Sequence, residues 1–268
     1  MIQVRCKCGF SFEAQDAARG RSIECLQCQS PLVIGAATAA SATPAGRTDV
    51  EKRVGAKVLV ARSTVKLAAV AEVLLDFVAR SGPPAPRAIF WWGPVPLFLL
   101  PEGTDRLRIC EPDLRLEDSR ASPQRDVSSA LALITLQSGL HEATRTQPEE
   151  FRLVDALLAY RGTRDERRVF LHRKYARRRL DDGTTDTGWF LGPDPDYWAQ
   201  LSDREANAPS NYALIPIREL YYTRPAVVAA LGLPMDWVAH ADRDILAKVY
   251  DPADRLAWQF DPARRVFG

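Results

Sequence analysis

Apolar and polar positions divide the chain into many short strand-like runs and a few helical ones. "AKVLVA" (56–61) is a short apolar run that predicts a strand. "TVKLAAVAEVLLDFVAR" (64–80) carries apolar residues at helical spacing through Val65, Leu67, Val70, Val73, Leu74 and Phe77, and "SGPP" stops it. "AIFWW" and "VPLFLL" predict two buried strands around the turn Gly93-Pro94. "DRLRICEPD" predicts another strand. "SPQRDVSSALALITLQSGLHEAT" (122–144) predicts a second helix, with Ser122 as N-cap ahead of Pro123 in the first turn. "PEEFRLVDALLAY" (148–160) predicts an apolar segment that is helical at its start.

Beyond residue 165 the pattern shortens. "RRVFLHRKY" reads as a strand, and "DDGTTDTGWFLG" as a turn feeding an aromatic strand. "NYALIPI" predicts a strand, where Pro216 marks a strand end or a sheet edge. "RELYYTRPAVVAALGLP" predicts a helix interrupted near Pro225, and "DWVAHA", "LAKVY" and "RLAWQF" predict closing strands. Strands and helices are interspersed without a strict β-α repeat, so the expected class is α+β.

The first 34 residues differ from this body. They hold four of the five cysteines, as Cys6-x-Cys8 and Cys25-x-x-Cys28 with sixteen residues between the pairs. Two short knuckles joined by enough chain to fold back suit a tetrahedral four-thiolate Zn²⁺ site. Two structural disulfides or four free thiols are the alternatives. No apolar leader precedes the cysteines, so a cytoplasmic, reducing location is expected, and that favours zinc. Four thiolates leave no open coordination position, so the expected metal is structural. Cys110, the fifth cysteine, reads as a small buried hydrophobe. "GAATAASATPAGRT" (35–48) is small and weakly polar, the composition of a flexible linker. The expected organisation is a zinc ribbon at 1–34, a linker at 35–52, an α+β domain at 53–160 and a second α+β domain at 161–268.

Composition narrows the function classes. Hydrophobic residues make up 46% and charged residues 26%, an ordinary globular mix. The longest apolar stretch is broken by Gly93, Pro94 and Pro96, so no membrane span is expected. Formal net charge is only +2, yet 161–179 holds nine Arg/Lys against two acids, a local +7 that leaves −5 elsewhere. Arg167, Arg168, Arg173, Lys174, Arg177, Arg178 and Arg179 are the candidate patch for nucleic acid or for an acidic partner. A solvated face, or internal pairing with the acidic loop downstream, is the alternative. That loop, "GPDPDYWAQLSDREANAPSN", interleaves Asp194, Asp196, Asp203 and Glu205 with Tyr197 and Trp198. Such a loop suits recognition of a basic partner face, or is simply solvated. The histidines at 141, 172 and 240 have no metal-ligand spacing, and no phosphate-binding or nucleophile motif occurs, so no enzyme is expected.

One stretch carries a family resemblance. Asp186-Thr187-Gly188-Trp189, then Asn211-Tyr212-Ala213-Leu214-Ile215-Pro216-Ile217, then "RPAVVAALGLP", follow one another in order. This resembles family thirty-three of the immunity proteins of bacterial polymorphic toxins, across about 165–250. Thr187 stands where the family usually has serine, and Ile217 where it usually has leucine. The resemblance implies a non-catalytic protein that binds and masks a toxin or effector. In the residues themselves, Asp186 and Gly188 suit a tight turn, and Trp189 enters the core or anchors a partner.

Overall fold

In the computed structural model the described residues are the strands at 2–5, 11–14, 22–24 and 31–33, and residues 46–82, 84–114 and 123–260. The chain divides into two compact units, Met1–Thr48 and Asp49–Gly268.

The first unit contains two antiparallel hairpins. β1 (Ile2–Arg5) pairs with β2 (Ser11–Ala14), and β3 (Ser22–Glu24) pairs with β4 (Pro31–Val33). Cys6 and Cys8 fall in sequence between β1 and β2, and Cys25 and Cys28 between β3 and β4. These four cysteines, and the linker as far as Ala45, lie outside the described residues.

The second unit is α+β, with two sheets. The first sheet has the order β5-β6-β9-β8-β7. Its strands are β5 (Arg47–Val54), β6 (Lys57–Thr64), β7 (Ile89–Trp92), β8 (Val95–Pro101) and β9 (Arg106–Cys110). β6 and β9 are parallel, while β7, β8 and β9 form an antiparallel meander. The parallel pair requires a crossover, and α1 (Ala68–Arg80) lies on it. α1 buries Ala71, Leu74, Leu75 and Val78, spaced i, i+3, i+4, i+7. At the β7–β8 turn Gly93 has φ +59, the left-handed region that favours glycine, and a Cβ there would push against the end of the Ile134 side chain.

The second sheet has the order β14-β10-β13-β11-β15-β16-β17, with β12 (Arg178–Arg179) paired to β13 off that path. Its central strand, β13 (Thr185–Pro193), is buried along almost its whole length. β10 (Ala156–Tyr160) runs parallel to β13, and β11 (Arg168–Arg173) runs antiparallel to it. β14 (Tyr212–Pro216) is an edge strand that ends on Pro216. β15 (Val238–Asp242), β16 (Ile245–Tyr250) and β17 (Leu256–Gln259) continue the antiparallel order. Residue 160, where a division of the body was expected, is the last residue of β10, a strand paired on both sides.

α2 (Ser128–Thr144) lies between the two halves of this unit, against β6 and α1 on one side and α6 (Pro225–Ala230) and β17 on the other. One apolar core runs through Leu59, Leu97 and Ile109, through Leu131 and Leu133 of α2, to Leu157, Leu171 and Val228. The interrupted C-terminal helix is α5 (Arg218–Tyr221) followed by α6, whose first residue is Pro225. Among the described residues no helix is long and apolar enough to cross a membrane.

Two local expectations are corrected. α2 begins at Ser128, six residues beyond the expected cap at Ser122, which lies outside the described residues. Asp126 Oδ1 accepts from Ser128 N at 2.9 Å, and Glu111 Oε2 accepts from Ala130 N at 3.1 Å, so carboxyl oxygens cap the first turn. Residues 149–155 are not helical. Their amides go to tertiary partners instead, Glu149 N to Gly232 O at 2.8 Å and Leu153 N to Pro94 O at 3.4 Å.

Candidate functional site

Asp186-Thr187-Gly188 does not close a turn between elements. It forms a bulge inside β13, where the register against β10 jumps from Ala156↔Asp186 to Leu158↔Phe190. Asp186 Oδ1 accepts from Gly188 N at 2.9 Å, and Gly188 takes φ +77. The expected roles of the Asp and the Gly therefore hold within a strand. Trp189 is a core residue, 1% exposed, with Nε1 donating to Leu231 O at 3.0 Å. It is not a surface anchor, because the strand that carries it is covered on both faces.

The loop after β13 folds into two single-turn helices, α3 (Pro195–Trp198) and α4 (Asp203–Ala206). Asp194 caps α3 by accepting from Asp196 N, and both carboxylates hold Arg168, at 2.5 and 2.8 Å. Burial is the largest single influence on Asp194 and opposes its ionisation, but the bond and charge of Arg168 together with the Asp196 amide outweigh it and hold the carboxyl below the ordinary range. Trp198 turns inward against Tyr160, Phe170 and Phe190, with ring centroids 5.2–5.8 Å away. Glu205 is used in a capping box with Ser202. Asp203 and Tyr197 remain exposed, Tyr197 at 49%.

The basic run is largely paired. Arg167 meets Asp242 at 2.9 Å, Arg168 meets Asp194 and Asp196, Arg177 meets Asp155 at 3.1 Å, and Arg178 meets Asp186 at 3.3 Å. Arg173 is buried and meets Glu149, with Nη1 donating to Leu233 O. Lys174 and Arg179 are exposed and make no ion pair among the described residues. The residues are adjacent in sequence but point to different carboxylates, so they do not form one free cationic face.

A cleft that no sequence motif marks lies between α2 and the segment 148–155. It has a volume of about 840 Å³. Its floor is Gln137 and His141 of α2, and its rim carries Trp91 of β7, Arg152, Glu149, Glu150, Asp155 and Arg177. Arg152 lies over the Trp91 ring, 5.1 Å from the centroid, which orients both side chains at the mouth. Asp155 Oδ2 accepts from both Arg152 N and Arg177 Nη2, so this rim is hydrogen-bonded into place.

The state of His141 follows from its neighbours. Thr144 Oγ1 donates its one proton to Leu140 O at 2.7 Å. In the 2.9 Å contact between Thr144 and Thr146 the donor is therefore Thr146. Thr146 can then only accept from His141 Nδ1, at 2.7 Å. Nδ1 carries the proton and Nε2 carries the lone pair. Burial holds the imidazole pKa below its ordinary value, favouring this neutral form. Nε2 is buried and has no hydrogen-bond partner among the described residues.

Beside the cleft, β7 is the outermost strand of its sheet among the described residues and pairs there with β8 alone. Ile89 is 49% exposed and Trp91 40% exposed on the same face of this strand. Another edge, β5, carries five charged residues, Arg47, Asp49, Glu51, Lys52 and Arg53, and β14 ends on proline. β7, "IFWW", has neither protection.

Sequence reading missed this site because its parts come from four separate segments. The one local signal is a pair of polar residues, Gln137 and His141, placed i, i+4 on an otherwise buried apolar face of α2. Among the described residues no group of three or more His, Cys, Asp or Glu side chains is placed to hold a metal ion. Compared with family models, curated proteins and solved structures, the chain matches none.

Proposed function

We propose that this protein is a non-enzymatic bacterial binding factor that captures and masks a protein partner, in the manner of a toxin-neutralising immunity protein. The observation that carries this reading is the unprotected edge of β7, with Ile89 and Trp91 exposed beside a charged rim. An uncharged, unpaired edge strand is a template for strand addition: its main-chain groups supply affinity and its side chains supply selectivity. The partner-facing surface is then β7 with the cleft mouth, joined by the exposed Tyr197 and Asp203 only if the partner is large.

Zinc belongs to the same reading. Cys6, Cys8, Cys25 and Cys28 would hold a structural Zn²⁺, and what supports this is the pair of hairpins between whose strands the two cysteine pairs fall. A reducing, cytoplasmic location fits that use of cysteine. The nucleic-acid alternative has less support, because five of the seven basic candidates are held by carboxylates.

Rescue experiments test the proposal. Cells expressing a toxin encoded beside this gene should grow when the protein is present. Ile89→Asp with Trp91→Ala should abolish rescue and weaken the partner's Kd about 100-fold, with no change in Tm. Full rescue by the double variant would contradict it. Binding to generic RNA or DNA should be negligible; a steep salt dependence would instead support the alternative.

A further inference from the structure

We propose that the floor of the cleft is a recognition subsite for a primary carboxamide, the group that an Asn or Gln side chain of the partner would insert. This rests on the partner-binding reading above. Gln137 and His141 lie one helical turn apart on α2 and are 7% and 6% exposed. The Gln137 carboxamide makes no hydrogen bond among the described residues, and His141 Nε2 has none. A buried ring nitrogen without a partner is uncommon in a folded chain, since it forfeits the hydrogen bond it had in water, and here it stands beside an amide that bonds to no described residue.

Their tips converge against Gly232, which has no side chain to hold them apart. A Cβ on Gly232 would lie 2.3 Å from Gln137 Nε2 and 2.8 Å from His141 Nε2. The required chemistry follows. The threonine relay leaves His141 Nε2 an acceptor, so the ligand must bring an N–H or O–H. Gln137 both donates and accepts, so it reads a group that does both. Rim charges compensate one another: Glu149, Glu150 and Asp155 stand against Arg152, Arg177 and Arg173 behind Glu149. The walls are Pro94, Ile134 and Phe151. An ionised group would lose its hydration with no countercharge on the floor, so an uncharged donor–acceptor group is selected. A primary carboxamide presents both functions in one plane.

The test needs no partner. The chain has only three histidines, so the imidazole signals of the full-length protein are few and can be assigned by substituting His172 and His240. N-acetyl-glutamine methylamide and its glutamate counterpart serve as probes at pH 7.5. Nitrogen shifts should show His141 as the Nδ1–H tautomer. The glutamine probe should shift the His141 signals saturably in the millimolar range, and the glutamate probe should bind about tenfold more weakly or less. Gln137→Leu should remove the shift while near-UV circular dichroism is retained. Gly232→Ala, whose Cβ would push both tips aside while keeping both polar residues, should remove it too. Equal binding of the two probes, saturable binding to either variant, or an Nε2–H tautomer would overturn the subsite. If the glutamine probe binds while the β7 variant still rescues, the subsite stands and the β7 reading falls. The opposite pattern removes the subsite alone.

Discussion

Gly188 shows how much a single position can carry. A Cβ there would lie 2.0 Å from Tyr175 O, at φ +77. Gly188→Ala should therefore cost about 2–4 kcal/mol in urea unfolding, from strain and a forced shift of backbone. A loss below about 1 kcal/mol would show that the bulge is plastic. Glu111 is the second such residue. It is fully buried, Oε2 meets Ala130 N and the Tyr221 hydroxyl, and desolvation pushes its pKa up to about 8. A carboxyl whose folded pKa is raised adds stability below its unfolded value, near 4.5, and loses it as pH rises through about 8. Stability should thus fall by a few kcal/mol, in order of magnitude, between pH 5 and 9. Glu111→Gln should flatten that fall and be the more stable protein above pH 8, as read from Tm against pH. A parallel decline in both proteins would assign the pH dependence elsewhere. Cys110 is as the sequence suggests, a buried free thiol whose pKa burial lifts to about 11.

At the scale of elements, local pattern was sufficient wherever the neighbours merely cover an apolar face. α1, the β7–β8 hairpin and the break before Pro225 lie where apolar spacing, glycine and proline put them. Pattern failed where a distant group decides. The start of α2 depends on Glu111, nineteen positions before Ala130, and the non-helical 149–155 depends on carbonyls of Pro94 and Gly232. Trp189 reads first as core and second as a partner anchor in sequence; its burial comes from β13 lying between β10 and β11. The charge runs at 161–179 and 194–205 were legible, and so was their internal pairing as an alternative; that it runs through Arg168 needs β11 beside β13. Arg168→Ala should accordingly free Asp194 and Asp196. The pair is exposed, so stability should change by under about 1 kcal/mol. A larger loss would give the loop a structural role beyond capping α3.

At the scale of the molecule, the chain divides into two compact units. Asp49–Gly268 has its own continuous core, so a chain lacking residues 1–45 should unfold cooperatively at an unchanged Tm. Cys25→Ser with Cys28→Ser should release zinc, measured by metal content, and leave that transition in place. Collapse of the body in either variant would contradict separate folding. The central claim is that β7 and the cleft mouth form the partner surface. Hydrogen exchange with the partner bound tests it most directly. The amides of Ile89–Trp92 and of 149–155 should gain protection, while those of 161–172 and 194–205 should not change. Protection confined to the latter two segments, with β7 exchanging as in the free protein, would contradict it.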